Sequence, residues 1–249
     1  MSLEDFLEER GIPLVTSDYM NGPSRYGIVE KALSMVPEKL WAGVDVMTNT
    51  TARGGWIRPA EVREGRMNVA INFSELGHPL DTAHASLHEM GHIAEEMLGK
   101  KGLISHEEPF HHGQGQFFAD FFALYILDGE KLREKISGLE PEKREVYQNI
   151  YETYKKHVFD GKEFSKKDVK HIEQEASRLV DEDNKRLGEM AGKLRKSWDK
   201  DEEALDEIVK NFTLKKEHTP FTHRAFYDMD REDHKQLKSF VRRGEKRPV

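Results

Sequence analysis

His88-Glu89-Met90-Gly91-His92 constrains this chain more than any other stretch. The segment around it repeats apolar residues at helical spacing, at Ala83, Leu87, Met90, Ala94 and Met97, which predicts an amphipathic helix. On a helix, residues four apart share a face, so His88 and His92 can reach one ion together. Glu89 projects about a hundred degrees away, where it can contact a water beside that ion. Borderline-soft zinc suits imidazole nitrogen, and it makes water a nucleophile near neutral pH. The motif therefore points to a zinc hydrolase, most often a peptidase. It does not supply a third ligand.

Composition narrows where that ligand comes from. The chain has no cysteine, so disulfides and thiolate sites are excluded, and zinc has to be held by His, Asp, Glu or neutral oxygen. At 249 residues, 37% hydrophobic and 34% charged, the chain reads as a polar protein with one large domain, or a core plus an extension. No apolar run approaches the roughly 18 residues of a membrane span. The stretch Met1 to Glu9 is acidic and lacks an apolar signal core, so the expected compartment is the cytoplasm, with a leaderless route elsewhere left open. A formal charge of −7 argues against nucleic acid as a partner. The basic end, with Lys238, Arg242, Arg243, Lys246 and Arg247, reads as a solvated terminus.

Ahead of the motif, 41–47, 54–58 and 66–73 read as short strands; in the last, apolar residues at Met67, Val69, Ile71 and Phe73 alternate with polar or small ones. That predicts a small sheet with one buried face. The strand 66–73 directly precedes the metal helix and is expected to border a substrate cleft, where an extended peptide adds to its edge. Asp81 or Thr82 is the expected N-cap of that helix, and Gly99-Lys100-Lys101-Gly102 its stop. A polar loop is expected from Ser105 to His112. The next helix, about 114–127, is almost wholly apolar, with four Phe among its residues, and must be buried. Beyond Asp128 the pattern is helical and charged. Tyr147, Ile150, Tyr151, Tyr154 and Val158 form one stripe, Ser165 with Asp168 resembles a capping pair for a long helix, and Asp183 interrupts that helix's apolar seam. A shorter helix holds Leu205, Ile208, Val209 and Phe212, and a last one is expected at about 230–242. A boundary is expected near Gly161.

His84 continues the row of His88 and His92, but three turns of one helix rarely serve one tetrahedral ion, and His84 reads as packing or as a neighbour of the ligands. The third ligand is sought on the apolar helix, where His112, Gln116 and Asp120 form a polar stripe. Buried polar groups need partners, and a metal centre would provide them.

Gln116-Phe117-Phe118-Ala119-Asp120-Phe121-Phe122, about two dozen residues after the motif, resembles the third-ligand helix of the anthrax lethal factor-like zinc metallopeptidases. It is more distantly similar to that of the ImmA/IrrE-like peptidases. The resemblance covers about 41–158 and rests chiefly on the two helices. It implies an α+β, zincin-like catalytic domain over 1–160, with a small mixed β-sheet and the His-Glu-x-x-His helix, followed by a charged, mainly helical extension over 161–249. It implies zinc bound by His88, His92 and position 116, Glu89 as general base, and Asp120 as a carboxylate that orients a ligand histidine. The family has glutamate where this chain has Gln116, and its transition-state tyrosine has no clear match. His111 and His112 stand nearby, and His112 or His111 is the candidate donor to the oxyanion. An amide oxygen can ligate zinc but brings no charge; Asp120, His112, Glu107 and Glu108 are the alternative third ligands. The expected activity is zinc-dependent endopeptidase, acting on a protein or peptide, with a protein partner for the C-terminal helices. The alternative is an impaired zincin-like binding or assembly module.

Overall fold

The computed structural model describes residues 1–16, 25–50, 56–63, 66–72, 77–104, 114–197 and 202–217. The fold is α+β: mostly helical, with one small sheet. In chain order the elements are α1 (Leu3–Glu8), β1 (Leu14–Thr16), α2 (Tyr26–Leu33), α3 (Glu38–Trp41), β2 (Val44–Thr50), β3 (Trp56–Arg63), β4 (Arg66–Asn72), α4 (Pro79–Lys100), α5 (Gln114–Leu127), α6 (Gly129–Ser137), α7 (Pro141–Thr153), a π-helical turn (Tyr154–Val158), α8 (Lys166–Ser197) and α9 (Glu202–Phe212). Among the described residues no helix is long and apolar enough to cross a membrane.

Among the described residues the sheet is mixed and four-stranded, in the order β1-β2-β4-β3. β1, β2 and β4 run parallel, and β3 runs antiparallel to β4. This corrects one expectation. β4 pairs on both sides, so no extended peptide can add to it; among the described residues the edges belong to β1 and β3. Alternation in a sequence reveals a strand's faces but not its place in the sheet. β3 loses regular register with β4 between Arg58 and Arg63, around Pro59, which cannot donate to a ladder. Val44, Met47 and Val69 are buried in the core, and α4 lies against β3 and β4.

α4 starts earlier than its sequence suggested. Pro79 occupies the first turn, where its missing N–H is harmless, and His78 rather than Asp81 or Thr82 caps it, accepting from Leu80 N at 3.2 Å through Nδ1. The other end follows the expected glycine stop. Leu103 N donates to Leu98 O at 3.0 Å and Gly102 N to Gly99 O at 2.9 Å, with Gly102 at φ 67°. These are the paired bonds of a Schellman motif, which needs a left-handed residue.

α5 is buried along its described length, from Phe117 to Ile126. The Tyr147, Ile150, Tyr151, Tyr154 and Val158 stripe of α7 and the π-helical turn is also buried. Aromatic rings tie these elements to the turn after them, with Tyr125 stacked on Phe159 at 4.5 Å between centroids.

A turn stands where the boundary was expected, with Gly161 at φ 86°. Beyond it, Ser165 caps α8 through Asp168, whose Oδ2 accepts from Ser165 N at 2.8 Å and from Ser165 Oγ at 2.6 Å. The first half of α8 enters the main core, since Val169, Ile172, Ala176 and Leu179 belong to the same hydrophobic cluster as α2 and α4. Asp183, the break in the seam, faces Arg25, whose fully buried Nη2 donates to it at 2.7 Å and to Gly77 O at 3.0 Å. The chain after α9 returns to the start of α4. Asn184 exchanges two hydrogen bonds with the Leu214 backbone, at 2.8 and 2.9 Å, and the His78 ring meets Lys215 O at 3.0 Å. Because Nδ1 of His78 accepts, its Nε2 carries the proton and donates. Farther out, Met190, Leu194, Ile208 and Phe212 are exposed. The helix expected at 230–242 and the basic end lie outside the described residues.

Candidate metal centre

α4 brings His88 and His92 onto one face, with ring centroids 5.0 Å apart and planes 87° to each other. What joins them to α5 is the glycine between them. A Cβ at Gly91 would stand 2.6 Å from Ala119 Cα and 2.7 Å from Ala119 O, so the two backbones touch there. That contact places Asp120 beside the histidine face. Its Oδ1 lies 2.6 Å from His88 Nδ1, and it is nearly buried, at 8% exposure. A carboxylate only accepts, so Nδ1 of His88 holds the proton and Nε2 carries the lone pair, the tautomer in which a histidine ligates metal through Nε2.

His92 has a carboxylate too. Glu95 Oε2 stands 3.5 Å from His92 Nδ1, and both residues are buried. Sequence reading passed over Glu95; its signal was a glutamate three residues after the second histidine, on the same helix face. His84 takes the outer side of Asp120, with Nε2 3.9 Å from Oδ1, and its ring centroid is 6.2 Å from that of His88.

Glu89 is 3% exposed, and its Oε2 has no hydrogen-bond partner among the described residues. Burial raises its pKa, with Asp120 adding to the rise and His88 and His92 opposing it. A carboxylate held nearer to neutral pH is a better proton carrier there. Tyr154 is fully buried and donates to Phe118 O at 2.9 Å.

Of the remaining candidates, Gln116 lies one helical turn before Asp120 on α5, and His111, His112, Glu107 and Glu108 lie outside the described residues. Among the described residues no three His, Asp or Glu side chains converge to hold one ion; Gln116, an amide, is of none of these types.

Comparison with protein-family models, curated proteins and solved structures gives no match for this chain. The reading of the centre therefore stands on its own chemistry. Two observations fit a zinc ion: a histidine whose Nδ1 is held by a buried carboxylate, and a buried Glu89 oxygen lacking a partner among the described residues. The first fixes the tautomer that metal ligation needs. The second is unfavourable unless something arrives to pair with it.

His84 has a measurable consequence of its own. Burial, followed by the opposing pull of Asp120 and the repulsion of His88, leaves its pKa pushed down to about 4. Between that value and the ordinary 6.5 the unfolded chain binds a proton that the folded chain refuses. Stability is thus full above pH 6.5 and falls as pH drops toward 4, by about 3 kcal/mol over the window. Denaturant midpoints of metal-free protein between pH 7 and 4.5 should fall less steeply in His84→Gln than in wild type. Equal slopes would show that burial of neutral His84 is not their source.

Proposed function

We propose that this chain is a zinc-dependent endopeptidase with a zincin-like catalytic domain. The observation that carries the reading is the His88 Nδ1 to Asp120 bond of 2.6 Å between α4 and α5. The zincin-like reading of the fold draws support from a parallel strand, β4, flanked by an antiparallel edge strand, β3, and followed directly by the His-Glu-x-x-His helix. Among the described residues β3 has one unpaired edge, and it lies against α4, so it is the strand to which an extended peptide substrate would add.

His88 and His92 would hold the ion through their Nε2 atoms, with the Gln116 amide as the third donor. Bound there, zinc supplies a Lewis acid that acidifies water and polarises a carbonyl. Glu89 takes the proton from the attacking water and passes it to the leaving amine. Asp120 keeps His88 in one tautomer and orientation. His112, four residues before Gln116, is the proposed donor to the oxyanion.

Purified chain is expected to carry one zinc by metal analysis, and added zinc should raise its stability by about 2.7 kcal/mol at 100 times Kd. His88→Ala and His92→Ala should each lose both effects. Gln116 favours a second reading, an impaired module that binds without cleaving, because an amide leaves the ion less neutralised than a carboxylate does. Protein with no stoichiometric zinc and no zinc-dependent shift would sink the peptidase and leave the module.

A further inference from the structure

We infer that Glu95 is a positioning residue for the zinc centre, orienting His92 through Nδ1 as Asp120 orients His88, and that the two carboxylates together replace the charge missing at Gln116. The inference rests on the zinc reading above.

Its ground is a contrast along one helix. Glu95 and Glu96 are adjacent on α4. Glu96 is partly exposed and pairs with Lys100 at 3.2 Å across one turn, the ordinary arrangement of a solvated helix acid. Glu95 is turned inward and is 9% exposed, although Lys, Arg, Asp and Glu seldom bury without a purpose. It faces His92 Nδ1. The adjacent Tyr154 hydroxyl is within reach of Glu95's charge but gives its proton to Phe118 O.

At 3.5 Å the Glu95 to His92 contact is electrostatic rather than a formed hydrogen bond. A cation on the far nitrogen of an imidazole makes the near N–H a stronger donor, so this contact gains when metal binds. The two ring-backing carboxylates come from different elements, Asp120 from α5 and Glu95 from α4, which fixes two imidazoles independently. Their charges also answer the problem set by Gln116. Two histidines and an amide leave the ion with its full double charge. Two buried carboxylates, each one ring away, offset that charge in a site that water screens poorly.

The experiment is zinc affinity by chelator competition on the full chain, with the visible spectrum of the cobalt-substituted protein and the Tm of the metal-free form. Glu95→Gln should weaken zinc 10- to 100-fold, a range typical of residues that orient a ligand. It should alter the cobalt spectrum and leave the metal-free Tm unchanged. Glu95→Asp should recover part of the affinity. Wild-type zinc affinity and spectrum in Glu95→Gln, alongside a loss in Asp120→Asn, would overturn the role of Glu95 and leave the zinc reading intact. A fall in metal-free Tm equal in free energy to the affinity loss, with no recovery in Glu95→Asp, would make Glu95 merely structural. Wild-type protein that binds no zinc would overturn both.

Discussion

Glu89→Gln is expected to lower peptide cleavage by roughly 10² to 10⁴ while zinc stays bound, the usual range for losing a general base. The substitution keeps shape and changes only the ability to take a proton. Zinc should remain because the proposed donors are His88, His92 and Gln116. Stability should not suffer either. The Glu89 carboxylate is buried, with one oxygen lacking a partner among the described residues, and burial raises its pKa. A neutral amide is cheaper to bury there than a charge, so metal-free Glu89→Gln should melt no lower than wild type. Cleavage of a peptide library, followed by mass spectrometry, gives the first quantity, and metal analysis the second. Unchanged turnover would remove Glu89 from the reaction.

Among the described glycines, Gly91→Ala should be the most damaging added methyl group. The added carbon would lie 2.6 Å from Ala119 Cα, 2.7 Å from Ala119 O and 3.0 Å from Phe122 Cβ. The first two are backbone, and backbone inside a buried helix cannot rotate aside, so α5 has to move. Overpacking of this kind costs about 1–3 kcal/mol and at times more, which corresponds to a loss of up to about 10 °C in a domain of this size. Zinc affinity should fall as well, since the same displacement carries Asp120 away from His88. Gly188→Ala supplies the contrast. Nothing lies within 4 Å of a Cβ at that position of α8, and alanine is the better helix residue by roughly 0.5–1 kcal/mol. A Gly91→Ala protein as stable as wild type would mean that α4 and α5 are not in the contact described.

Legibility in the sequence tracked how local the cause was. α5 announced itself because an almost wholly apolar helix has to be buried. The Ser165 and Asp168 cap and the glycine stop of α4 were readable because capping chemistry acts over three or four residues. His78 escaped because histidine is not a usual cap, although Pro79 just after it marked the start. Glu95 escaped because one acid beside another looks like a solvated pair, and only the fold turns one of them inward. The place of β4 inside the sheet depends on β1 and β3, which no alternation along β4 records. Asp183 looked like a flaw in an apolar seam, and its reason stands 158 residues away at Arg25.

That last separation has a consequence for how the protein is made. A chain lengthens from its N-terminus at about 5–20 residues per second, so roughly 8 to 32 seconds separate the synthesis of Arg25 from that of Asp183. During that interval α2, the sheet and α4 can assemble, yet the guanidinium destined for a dry site lacks the carboxylate that receives it at 2.7 Å. The same nascent chain lacks Leu214 and Lys215, which close over Asn184 and His78. The helix bearing the paired histidines therefore leaves the ribosome well before the residues that bond to its first turn at His78, so the setting of that end waits on chain made later.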